Sequence, residues 1–90
     1  MKSRTTQKFR TLFRELPKEV RTEGRKAYKF FKQNPQHPSL QFKKIIGQVY
    51  SARLTRGYRA VGSIEDDEVV WFWAGSHGDY DKLIKKVRGR

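Results

Sequence analysis

The sequence predicts an α+β domain spanning residues 1–90, and three observations carry that prediction. Apolar residues recur at helical spacing through the first third of the chain, with Phe9, Leu12, Phe13 and Leu16 at i, i+3, i+4 and i+7. Beyond Asn34-Pro35-Gln36-His37-Pro38-Ser39 the period falls from 3.6 to 2. The chain closes on a second helical stripe, Tyr80, Leu83, Ile84 and Val87. Helices, then an antiparallel meander, then a short helix make the α+β class.

The first helix is expected from about Thr6 to Glu15, with the side-chain oxygen of Thr5 or Thr6 capping its start. Pro17 ends it, because proline disfavours the α region for the residue before it. The same proline suits the first turn of a second helix, where its missing N–H would be unbonded anyway. That helix runs to about Gln33, with Val20, Ala27, Tyr28, Phe30 and Phe31 available for burial. Gly24 lies one turn from Val20 and Ala27 and suits a close approach of the two helices in an αα-hairpin. Two prolines in four residues then enforce a loop. Strands are expected at about Tyr50–Leu54, Tyr58–Ile64 and Val69–Ala74, the last apolar on both faces as in a covered central strand. The acidic tip Glu65-Asp66-Asp67-Glu68 should be solvated, Gly75 breaks the third strand, and the closing helix should span about Asp79 to Val87. Lys2–Thr5 is a further edge-strand candidate, too short for periodicity to establish.

Twenty-one Lys and Arg against nine Asp and Glu give a net charge of +12. The surplus is unevenly spread. Residues 1–33 carry +8, residues 34–61 carry +5 without an acid, and residues 62–81 carry six acids without a Lys or Arg. The last nine residues restore +5. Such a surplus favours a polyanionic partner, nucleic acid first and an anionic membrane or acidic protein second. A merely soluble charged surface is the plainer reading. The absence of cysteine excludes disulfides, Cys-ligated zinc and thiol nucleophiles. His37 and His77 are too few for an all-histidine metal site, so no metal or cofactor is expected. The longest apolar run, Val69–Ala74, is far short of a membrane span, and a cytoplasmic location is expected.

The stretch Tyr50–Gly62 is the most informative. A three-residue loop Thr55-Arg56-Gly57 opposes Leu54 to Tyr58, Arg53 to Arg59 and Ala52 to Ala60, with glycine where such loops need a left-handed residue. A two-residue loop would set Leu54 against Arg59 and mix core with solvent. Two directly opposed cations destabilise each other unless an anion lies between them, and guanidinium forks suit phosphate. The alternative is two unrelated surface arginines. The third strand ends in Gly75-Ser76-His77-Gly78-Asp79-Tyr80, which can bring His77 and Tyr80 to the same face. Imidazole exchanges protons near neutral pH, and arginine stabilises a phosphorane-like charge. Two arginines, a histidine and a tyrosine without a carboxylate cluster are the inventory of a metal-independent ribonuclease that uses the RNA 2′-hydroxyl. Tyr80 also lies on the apolar stripe of the last helix, so a core tyrosine and a capping-turn histidine is the competing reading.

The run Tyr50-Ser51-Ala52-Arg53-Leu54-Thr55-Arg56-Gly57-Tyr58-Arg59-Ala60-Val61, followed by a strand and Gly75-Ser76-His77-Gly78-Asp79-Tyr80, resembles the RelE/ParE superfamily of type II toxins. The helical pair ending in Asn34-Pro35, with His37-Pro38-Ser39-Leu40 after it, fits the same pattern. The resemblance covers essentially the whole chain, and its most specific part is Gly57-Tyr58-Arg59. It implies a RelE-like fold, a twisted antiparallel sheet of three to four strands packed on the N-terminal helical pair. It also implies a ribosome-dependent endoribonuclease that cuts mRNA in the A site and is held in check by a cognate antitoxin.

By that resemblance Arg59 matches the arginine that contacts the scissile phosphate, and Arg53 falls at a basic position on the neighbouring strand. Ser51 stands where RelE has a second lysine, which leaves the general base open between His77, Tyr80 or none. Lys43, Lys44 and Arg56 read as contacts to ribosomal RNA or mRNA backbone, with solvated charge as the simpler assignment. A ParE-like inhibitor of DNA gyrase without nuclease activity is the main alternative. A degenerate module that binds antitoxin or nucleic acid is the other.

Overall fold

A computed structural model describes residues 2–89. The chain begins with a strand, β1 (Lys2–Thr5), and continues into α1 (Gln7–Arg14) and α2 (Lys18–Gln33). A single 3-10 turn, Pro38–Leu40, leads to β2 (Lys43–Ile46), β3 (Val49–Thr55), β4 (Tyr58–Glu65), β5 (Glu68–Ser76) and α3 (His77–Arg88). The strands form one five-stranded sheet in the order β1-β5-β4-β3-β2.

The helical pair forms as its sequence requires. Thr6 caps α1, its hydroxyl accepting from the Phe9 amide at 3.2 Å. Pro17 is the N-cap of α2, one position before the first-turn place its chemistry suggested. At Gly24 a Cβ would come within 2.8 Å of the Phe13 ring, so glycine is what lets α2 lie against α1. Both helices cover one face of the sheet, α1 over β5 and α2 over β3. The core between them holds Phe31, Leu40, Ala52, Ala60, Val69 and Trp71. Phe31 meets Trp71 edge-on at 5.3 Å, a favoured aromatic arrangement.

The sheet departs from expectation in its strand count and its pairing. It has five strands rather than three to four, and a strand precedes the helical pair. Lys2–Thr5 does form an edge strand, but it pairs parallel to β5, with Ser3 opposite Val69 and Thr5 opposite Trp71, so the sheet is mixed. The fifth strand, β2, contains Lys43 and Lys44. Its Lys-Lys-Ile-Ile sequence has no alternation to reveal it, and pairing with β3 across a turn at Gly47 is what makes it a strand. The β3–β4 hairpin keeps the expected opposition of Arg53 to Arg59 and Ala52 to Ala60. Nearer the turn, Thr55 rather than Leu54 opposes Tyr58, because a bulge absorbs Leu54 and leaves a two-residue loop of Arg56 and Gly57. Gly57 has φ +88°, which a side chain would resist. The acidic tip is exposed from Glu65 to Asp67. Helix α3 begins at His77, two residues before the apolar stripe suggested, because Ser76 caps it through the Asp79 amide. No helix among the described residues is long and apolar enough to cross a membrane.

Candidate functional site

The sheet face away from α1 and α2 buries a cation. Arg59 on β4 is 5% exposed, and it and Ser51 are the buried polar residues among those described. Its Nη2 donates to Ser51 Oγ at 3.0 Å and to the Gln41 carbonyl at 3.1 Å, while Nη1 donates to Gln41 Oε1 at 3.3 Å. Tyr80, projecting from α3, donates its hydroxyl to the same Ser51 Oγ at 3.1 Å. The guanidinium lies over the Tyr80 ring, 5.2 Å from its centroid. No carboxylate joins this network among the described residues, and Arg59 Nε has no partner.

Arginine normally keeps its proton under all conditions. Here burial disfavours the charged form and lowers the Arg59 pKa, Tyr80 opposes that through its charge and its hydrogen bond, and the neighbouring Arg53 lowers it further. Arg53 sits directly opposite Arg59 across β3 and β4 and is half-buried. The opposed-arginine geometry expected from the hairpin is therefore present, with one arginine sunk into the fold and the other at its edge.

His77 opens α3, and its backbone amide donates to the Gly57 carbonyl at 2.7 Å, which fastens the helix start to the hairpin turn. Its exposed ring lies 5.8 Å from Tyr80, and Nδ1 is 3.3 Å from Asp81 Oδ2 one helical turn on. Tyr80 thus touches both Arg59 and His77. Tyr80 is 7% exposed, as the core reading expects, and its ring also meets Arg59 and His77.

The remaining cations divide. Lys43 pairs with Ser51 and so shares the arginine face, whereas Lys44 pairs with Tyr50 and faces the other way. Both are exposed, as is Arg56 in the hairpin turn. Two residues acquire roles that sequence reasoning missed. Ser51, noted as a missing lysine, is the shared acceptor for Arg59 and Tyr80. Gln41 holds Arg59 from a left-handed backbone conformation, φ 45°, which nothing in its sequence context announces. No group of three or more His, Cys, Asp or Glu side chains gathers among the described residues to hold a metal ion.

A family model described as the ParE-like toxin domain matches residues 18–82. No curated protein matches. Solved structures of the same fold include a chain of the RelB–RelE antitoxin–toxin complex of Methanococcus jannaschii, with a TM-score of 0.71 at 13% identity over 88% of this chain and 95% of that one. A chain of the archaeal RelE–RelB complex of Pyrococcus horikoshii gives 0.70 at 18% identity over 86% and 94%. The isolated Escherichia coli RelE toxin gives 0.63 at 18% identity over 96% and 97%.

Proposed function

The chain belongs to the ParE-like toxin domain family of the RelE/ParE superfamily, and from that membership we propose that it is a ribosome-dependent mRNA endoribonuclease restrained by a cognate antitoxin. That it is a RelE/ParE-like toxin of toxin–antitoxin systems follows from the family itself. An antitoxin partner is supported by the archaeal relatives, which were solved as antitoxin–toxin complexes.

The observation that carries the nuclease reading is the pair of opposed arginines at the sheet end where His77 begins α3. In the proposed reaction the RNA 2′-oxygen attacks the adjacent phosphorus and the P–O5′ bond breaks. The products are a 2′,3′-cyclic phosphate and a 5′-hydroxyl. His77 accepts the 2′-hydroxyl proton, and the departing 5′-oxygen takes its proton from solvent water. Asp81 beside Nδ1 orients the ring and leaves Nε2 for the transfer. Arg53 meets the phosphate oxygens as charge builds on them. Arg59 is already bound by Ser51 and Gln41, and in this reading it supplies a fixed positive field beneath Arg53 rather than a free fork. The ribosome supplies substrate geometry that a small exposed site lacks.

The test is primer extension on a defined mRNA held on ribosomes with an empty A site. Cleavage within the A-site codon by wild type, lost in Arg53→Ala and His77→Ala, is the expected result. Folded wild type that cleaves none of several codons overturns the reading.

One observation favours a second reading. Arg59 is 5% exposed and two of its three guanidinium nitrogens are engaged, as suits a structural residue. A ParE-like gyrase inhibitor needs no free arginine there. Inhibition of DNA supercoiling by the purified protein, with A-site mRNA intact, would select it.

A further inference from the structure

A groove lies on the helical side of the β3–β4 hairpin. Its volume is about 320 Å³, and one wall is a single face of α2, with Glu23, Lys26, Ala27 and Phe30 at helical spacing. The hairpin supplies the other wall through the end of β3 and Arg56. Phe30 is 43% exposed, one of two exposed large hydrophobic residues among those described. Its ring stacks on His37 with centroids 4.9 Å apart and planes at 11°. His37 is fixed in turn by Ser39, whose amide donates to Nδ1 at 3.2 Å and whose hydroxyl lies 2.8 Å from it. Lys26 and Arg56 line the groove with one acid, Glu23, which already lies 3.4 Å from Lys26.

We propose that this groove binds a single-stranded polynucleotide, with one base stacked on the Phe30–His37 pair and a neighbouring phosphate on Arg56. A fixed aromatic platform accepts any base, because every base has a π-face. Guanidinium forks match phosphate oxygens, and the exposed Arg56 is free to reach them. A duplex keeps its bases stacked and cannot offer one to Phe30, so the occupant is a single strand. The assignment of that strand as mRNA rests on the nuclease reading above. The β3 segment that borders the groove turns the Arg53 side chain to the opposite face, beside Arg59, so a strand that rounds the hairpin reaches the candidate site.

The test is fluorescence anisotropy of a labelled hexauridylate with the intact protein at low salt, without ribosomes. Phe30→Ala should weaken binding about tenfold, and Phe30→Trp should match or exceed wild type. Arg56→Ala should weaken binding several-fold and lower the slope of log affinity against log salt by about one. Lys2→Ala, on the opposite edge strand, should change affinity less than twofold. Binding by folded Phe30→Ala within twofold of wild type overturns the proposal, as does a blunt RNA duplex bound as tightly as the single strand. The two readings fail separately. Phe30-dependent binding without A-site cleavage keeps the groove and removes the nuclease. Cleavage with Phe30-independent binding does the reverse.

Discussion

The two faces of the β3–β4 pair are built from alternate residues of the same two strands and solve opposite problems. Toward the helices they present Ala52 and Ala60, small enough for Phe31 and Trp71 to fill the space above them. Toward α3 they present Ser51, Arg53 and Arg59, and the fold closes over a cation with no carboxylate partner among the described residues. The first face stabilises by removing apolar surface from water. The second face costs desolvation of a guanidinium and recovers part of it through neutral acceptors and a tyrosine ring. A fold that keeps a costly face beside an efficient one separates what holds it together from what it presents to a partner.

Substitutions can break or sharpen that contrast. The largest effect belongs to the apolar face: Phe31→Ala should lower unfolding free energy by about 3–5 kcal/mol in urea titration. On the polar face Arg59→Met should act in the opposite direction, raising stability by about 1 kcal/mol while A-site cleavage is lost. A stability loss as large as that of Phe31→Ala would mean that the arginine network is a structural core in its own right. No pH titration can replace this substitution. A cation whose folded pKa is depressed costs stability at every pH below that pKa, and the penalty fades only in strongly alkaline solution as the group deprotonates. Tyr80→Phe removes one hydrogen bond to Ser51 and should cost about 1 kcal/mol, read by the same titration. Smallest is Asp81→Asn, where loss of an exposed contact one helical turn from His77 should change stability by less than about 0.5 kcal/mol. The same variant should move the pH profile of cleavage if His77 is the base.

How much of this was legible depends on how local the cause is. The α1–α2 pair, the Arg53–Arg59 opposition and the last helix follow from apolar spacing and from the glycine at 57, which act within a few residues. β1 was legible only as an edge-strand candidate without its parallel pairing, and β2 not at all, because four-residue edge strands are specified by their partners. The bulge at Leu54 was missed for a related reason, since shifting one residue near the turn leaves the outer register unchanged. At the candidate site the residue types were readable and their depth was not. Nothing in the order of residues says that Gln41 will turn left-handed and cap Arg59, or that Ser51 will accept from two donors at once.

The parallel pairing of β1 with β5 has a consequence in time. Lys2–Thr5 is synthesised before the helical pair and the rest of the sheet, yet its partners are Glu68–Trp71. The Thr6 amide and hydroxyl likewise wait for the Trp71 carbonyl. Contacts of such sequence separation carry a loop-closure penalty that slows their formation. β1 therefore stays unpaired until β5 has been made, and the sheet is completed late.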